Sequence, residues 1–199
     1  MKGTARMIRK RVLLLICIFV LIIVIAIGCF EKQDENIIRK WRPQEKEAVA
    51  ILDMITEREQ YSIGTIDAAD ELTSISFGYE YYEGSRFIGD NKCGSIDISD
   101  KKAVSLIGVV FGNGKYKAFY TEGDGGSSCT GSLSGWKKSD EEELAYAGLE
   151  DDQSFKPGKK CYIAAFASGG NMSDPETLVR NEAILKNNKK NWIFYAVFE

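Results

Sequence analysis

Ala103–Thr121 reads AVSLIGVVFGNGKYKAFYT, and the reading of this stretch decides the fold. Residues 103–111 form a nearly continuous apolar run rich in β-branched side chains, short for a helix and the right length for a central strand. Gly112-Asn113-Gly114 follows, three residues that tolerate the positive φ of a hairpin turn. Tyr116–Thr121 then returns. The stretch predicts an antiparallel hairpin.

Leu72–Tyr82 switches to period two, with Ile75, Phe77, Tyr79 and Tyr81 on one face and Ser74, Ser76 and Glu80 on the other. That is the signature of a half-buried strand. Ser95–Ser99 reads as another short strand, Cys161–Ser168 (CYIAAFAS) as a buried one, and Trp192–Phe198 (WIFYAVF) as one more. Gly123–Gly135 is a Gly/Ser-rich loop with room for a short strand, and Lys137–Lys160 a charged loop with a helical turn at Glu141–Ala147.

Two segments read as helix. Gln44–Gln60 places Ala48, Leu52 and Ile55 at three- and four-residue spacing, flanked by Val49 and Ile51, with Tyr61–Gly64 ending it. Ser173-Asp174-Pro175-Glu176 has capping-box spacing with Pro in the first turn, ahead of Leu178, Val179, Ile184 and Leu185. The expected class is therefore α+β, an amphipathic helix packed on an antiparallel sheet. If residues 177–185 are strand instead, the domain becomes a β-sandwich.

The segment before the fold sets topology. Lys2, Arg6, Arg9, Lys10 and Arg11 precede the uncharged run Val12–Ile27, and mixed, net negative residues follow Phe30. This is the arrangement of a cytoplasmic N-terminus and an exported remainder. The run is close to the upper end of a signal core and a little short of a span. Ala26-Ile27-Gly28-Cys29 resembles the lipobox of bacterial lipoprotein precursors, with Ala26 where that family most often has Leu. The resemblance implies that Cys29 carries the lipid and begins the mature protein. Read from the residues alone, helix 12–30 is equally a signal anchor. Either way the expected organisation is residues 1–28 as signal peptide or anchor, 29–43 as linker or stalk, and 44–199 as an exported domain on the outer side of the cell membrane.

Composition excludes whole classes of chemistry. The sequence contains no histidine, which removes Ser-His and Cys-His nucleophile pairs, His-ligated zinc and imidazole acid–base work. Five of the 26 basic residues and none of the 29 acidic ones lie in residues 1–28, leaving 21 against 29, a net of −8. Such a surface repels nucleic acid. The acid is concentrated in Asp140–Glu143 and Glu150–Asp152, blocks that read as solvated faces; a calcium loop would alternate its carboxylates with Gly and carbonyl donors.

Beyond Cys29 the exported part has Cys93, Cys129 and Cys161, an odd count. In an oxidising compartment that gives one disulfide, whose pairing the spacing leaves open, or three buried thiols. No C-x-x-C half-site marks a metal, and no motif calls for a cofactor. Ser134-Gly-Trp-Lys137 matches the Ser-x-x-Lys of penicillin-binding enzymes, but no Lys-Thr-Gly accompanies it and Gly131 and Gly135 argue for a loop. Gly123–Gly126 reads as a turn rather than a phosphate loop, and the sequon Asn171-Met-Ser173 would be idle in a bacterium. Tyr79, Tyr81, Tyr82, Tyr116 and Tyr120 are the candidate binding aromatics; the competing reading of alternating aromatics is cross-strand packing.

Glu47-Ala48, Leu52, Ile55, Glu59-Gln60-Tyr61 and Gly64-Thr65 resemble the end of the long helix and the following loop of type IV pilins and pseudopilins. That resemblance implies a membrane-inserted helix on an antiparallel sheet, although Pro43 interrupts the helix and the apolar run lacks the family's glutamate. Three functions are expected in this order: a membrane-tethered, non-catalytic binding or scaffolding domain that meets lipid through Cys29 or helix 12–30 and meets other envelope proteins; a pilin-like structural subunit; and an envelope hydrolase using carboxylates.

Overall fold

The hairpin forms where Asn113 and Gly114 both take positive φ, 53° and 71°, the twist that a two-residue turn between right-handed strands requires. In the computed structural model, which describes residues 36–41, 60–68, 72–98, 104–122 and 125–199, this turn joins Val104–Gly112 (β5) to Lys115–Glu122 (β6). Gly114 has a second reason to be glycine. The Trp136 ring lies where its Cβ would be.

Among the described residues, eleven strands make two antiparallel sheets. The first contains Ile37–Lys40 (β1), Gln60–Asp67 (β2), Gly125–Ser132 (β7) and Gln153–Ser154 (β9), in the order β7-β6-β5-β2-β1-β9. The second contains Ser74–Glu83 (β3), Arg86–Asp97 (β4), Leu144–Gly148 (β8), Lys160–Ser168 (β10) and Lys190–Phe198 (β11), in the order β4-β3-β11-β10-β8. Inward-facing rings from the two sheets interlock: Phe111 and Phe166 lie 4.3 Å apart, Tyr116 and Phe194 5.2 Å, and Tyr79 and Tyr116 5.6 Å. Ser62 on β2 also donates across the gap to the Ile163 carbonyl at 2.6 Å.

The expectation of α+β is therefore overturned. Two sheets share one core, and the architecture is a β-sandwich. Residues 44–59 of the proposed helix lie outside the described residues, while Gln60 and Tyr61–Gly64, read as its end, are strand β2. Gly64 explains why that strand fits: a Cβ there would meet the Ile38 side chain and come within 2.8 Å of Leu149 Cδ1. The same strand covers Gln60–Thr65, which the pilin resemblance reads as helix end and loop. Residues 37–40, read as stalk, pair as β1 with β2 and β9. The apolar segment 12–30 also lies outside the described residues; among the described residues no helix is long and apolar enough to cross a membrane.

The second helical expectation gives two short helices, Pro175–Arg180 (α1) and Glu182–Asn187 (α2), so the strand alternative for 177–185 is not the route to the sandwich. The cap of α1 is Asp174, which accepts from Thr177 N–H, one residue after the Ser173 that the capping-box spacing points to. Asn181 splits the pair, because its side chain accepts from the Ala183 and Ile184 amides and starts a new helix. Leu178 and Leu185 close over Ala165 and Ile193, the apolar part of the outer face of the second sheet.

Candidate functional site

The remainder of that outer face is polar. Glu80 on β3 points outward, as period two dictates, yet is buried, with a side chain only 10% exposed. Lys160 on β10 reaches across β11 to donate to Glu80 Oε1 and Asp90 Oδ2, both at 2.7 Å, with its ammonium 4.2 Å from the centre of the Tyr195 ring. Three tyrosines close the group. Tyr82 donates to Glu80 Oε2 at 2.6 Å, Tyr162 to Glu80 Oε1 at 3.2 Å and Tyr195 to Asp90 Oδ1 at 2.5 Å. Burial first, then these acceptors, push the three hydroxyl pKa values up, so the tyrosines stay protonated donors. Burial works against the charge on Lys160 and Asp90, but their mutual hydrogen bond, with Glu80 and Tyr195, outweighs it: the lysine is raised and the aspartate lowered. Every group here has a partner inside the network. Its chemistry is structural.

Tyr162 also forms one wall of a cleft beside this network, about 240 Å³ in volume, between residues 149–153 and the start of α1. Leu149 and Pro175 supply apolar wall, and Glu150, Asp151, Asp152, Asp174 and Glu176 supply carboxylates. Asp152 is engaged by Arg39 at 3.1 Å, Asp174 by its capping role, and Glu176 by Arg180 and by Gln153 Nε2 at 3.0 Å. Glu150 and Asp151 have no partner among the described residues. The cleft is thus strongly negative at its rim and aromatic at its wall. No set of carboxylates or thiols among the described residues is arranged to hold a metal ion.

The sequence-predicted residues fall elsewhere. Tyr79, Tyr81, Tyr116 and Tyr120 are 2%, 4%, 8% and 3% exposed and lie between the sheets. Burial of each ring is worth about 2 kcal/mol, which turning it outward would forfeit. Packing therefore wins over a stacking platform for these four; Tyr82 alone lies on the outer face, half-buried and committed to Glu80. Ser134 is no nucleophile: its N–H donates to Tyr79 Oη at 2.9 Å, its carbonyl accepts from Trp192 Nε1 at 2.8 Å, and its hydroxyl donates to Asn91 Oδ1 at 3.1 Å. Among the acidic blocks, Asp140 departs from the solvated-face reading. It is buried and accepts from Lys190 at 2.7 Å, from Ser168 and from the Lys137 amide. Cys93, Cys129 and Cys161 are unbridged thiols. Cys29 lies outside the described residues.

Sequence reasoning missed Tyr162 and Lys160, because neither belongs to a spaced motif. The only signal was the outward register of Glu80, on a strand face that also carries Ser74, Ser76, Gly78 and Tyr82. No protein-family model, curated protein or solved structure matches the chain.

Proposed function

We propose that this chain is a membrane-tethered, non-catalytic binding protein of the cell envelope, whose exported domain presents the cleft beside Tyr162 to a ligand carrying positive charge. The observation that carries the reading is the pair of carboxylates, Glu150 and Asp151, without a partner among the described residues, on the rim of a concave site with an aromatic wall. A protonated amine or guanidinium entering there exchanges water for carboxylate oxygens and a ring face, on a frame held rigid by the adjoining Glu80–Lys160–Asp90 network. The tether rests on the basic residues 2–11, the apolar run and the lipobox-like Ala26–Cys29. The absence of histidine and the mutual commitment of the buried acids and lysines support a binding role over a catalytic one.

Titration of the detergent-solubilised full-length protein with an oligolysine peptide tests the cleft. Binding is expected to weaken about tenfold in the Glu150→Gln, Asp151→Asn double variant and to weaken with salt. Affinity indifferent to both changes would remove the cleft from the proposal. The intact mass of membrane-extracted protein tests the tether: a mass beginning at Cys29 plus a diacylglyceryl increment identifies the lipid anchor, and Cys29→Ser then accumulates full-length precursor. A mass beginning at Met1 identifies the signal anchor instead.

A further inference from the structure

Cys93 and Cys129 belong to opposite sheets. Cys93 is on β4, the edge of the second sheet, and Cys129 on β7, the edge of the first, and these two edge strands touch. The pairing of β4 with β3 slips between Phe77↔Gly94 and Gly78↔Lys92, which makes Cys93 the extra residue of a β-bulge. A bulge re-aims a side chain. Here both Cys93 and its neighbour Gly94 face the seam between the sheets. A Cβ placed on Gly94 would lie 3.3 Å from Cys129 Cβ and 3.7 Å from its Sγ, so the β4 backbone next to Cys93 runs against Cys129. The missing side chain of Gly94 leaves room for the sulfurs. Cys93 and Cys129 are close enough to perturb one another electrostatically, and Tyr116 acts on Cys93 in the same place. Both cysteines pack against the core while keeping partial exposure.

We infer that Cys93 and Cys129 are the disulfide-forming pair of this chain, closing the seam between the edge strands β4 and β7, and that Cys161 remains a free thiol. The neighbouring Cys93 thiol holds Cys129 below its ordinary pKa, whereas Cys93 itself is pushed up by Cys129 and then by burial. The exchange balances with Cys129 as the attacking thiolate. As thiolate it attacks one sulfur of an external disulfide, a small-molecule or protein oxidant; that S–S bond breaks and one half leaves as a thiol after taking up a proton. Cys93 gives up its proton and attacks the Cys129 sulfur of the mixed disulfide, and the second half leaves likewise. The two cysteines lose two electrons and two protons, and the oxidant gains both as two thiols. Cys161 takes no part: it is 3% exposed, and burial, with the nearby Glu176 charge, pushes its thiol up to about 12.

This inference goes beyond the cleft and does not depend on any ligand. Its test is a linkage map of the full-length wild-type protein in detergent, incubated with oxidised glutathione, alkylated under denaturing conditions and digested for mass spectrometry. A Cys93–Cys129 linked peptide is expected, with Cys161 alkylated, and the oxidised protein is expected to melt roughly 5–10 °C above the reduced one. That gain should vanish in Cys93→Ser and in Cys129→Ser and persist in Cys161→Ser. Alkylation of both Cys93 and Cys129, or a link that includes Cys161, overturns the assignment.

Discussion

Lys160 Nζ and Glu80 Oε1 stand 2.7 Å apart on the outer face of the second sheet, with the carboxylate nearly sealed from water and the ammonium one-third exposed. The asymmetry sets what each partner contributes. Glu80 accepts from three side chains, whereas Asp90, 37% exposed, accepts from two. Glu80→Ala is expected to cost about 2–3 kcal/mol, because it leaves two half-buried donors, Tyr82 and Tyr162, without acceptors; Asp90→Ala should cost about 1 kcal/mol. Urea midpoints at unchanged m-value measure both. Equal losses would show that burial does not distinguish the two acids.

Asp140 should carry part of the acid response. Burial raises this carboxyl, but donation from Lys190, the Lys137 amide and Ser168 outweighs it and leaves its pKa below the ordinary value. A lowered folded-state pKa contributes stability that is present above the unfolded carboxylate value, about 4, and is lost as pH falls through the folded value. Thermal melting between pH 5 and pH 2 should therefore decline more steeply in the wild type than in Asp140→Asn. Parallel curves would remove Asp140 from the acid response.

Gly108 lies in the middle of β5, where a Cβ would come within 2.7 Å of the Ser62 carbonyl and 2.8 Å of the Phe119 ring. A backbone oxygen cannot move aside within a sheet, so Gly108→Ala is expected to cost about 1–3 kcal/mol. Gly89 on β4 has open space around its Cβ position. Gly89→Ala should stay within about 0.5 kcal/mol. Paired denaturation curves of the two variants make the comparison.

Trp192 is fully buried, stacks on Tyr81 at 5.7 Å and donates to the Ser134 carbonyl. Trp192→Phe retains a ring but leaves that carbonyl unpaired and part of the ring volume empty, an expected cost of about 2 kcal/mol. The near-ultraviolet dichroism of the folded state should weaken while the far-ultraviolet β signal stays. Loss of the far-ultraviolet signal would mean that the residue is needed for folding itself.

Strands that bury one face were legible, and strands that bury little were not. The alternation of Ile75, Phe77, Tyr79 and Tyr81 placed β3 correctly, and the apolar runs at 103–111, 161–168 and 192–198 placed β5, β10 and β11. The part of β4 before Ser95 drew no strand reading, and β7, GGSSCTGS, lay in a Gly/Ser-rich loop with room for only a short strand, because edge strands need little apolar surface. The segment at Glu141–Ala147, read as a helical turn, divides into a 3-10 helix, Lys138–Glu143, and strand β8. The candidate site was almost invisible. Glu80, Lys160 and Asp90 are far apart in the chain, and only the order of strands in the second sheet makes them neighbours.

That order also governs when the domain can come into being. β11 sits between β3 and β10, hydrogen-bonded along both sides, and it is made after the other described strands. Until residues 190–198 have been synthesised, β3 and β10 have no neighbour to bridge them, and half of the sandwich has no centre. A nascent chain paused anywhere earlier presents open strand edges rather than a nearly finished domain, and such unpaired edges are where association with other chains begins until β11 fills the gap.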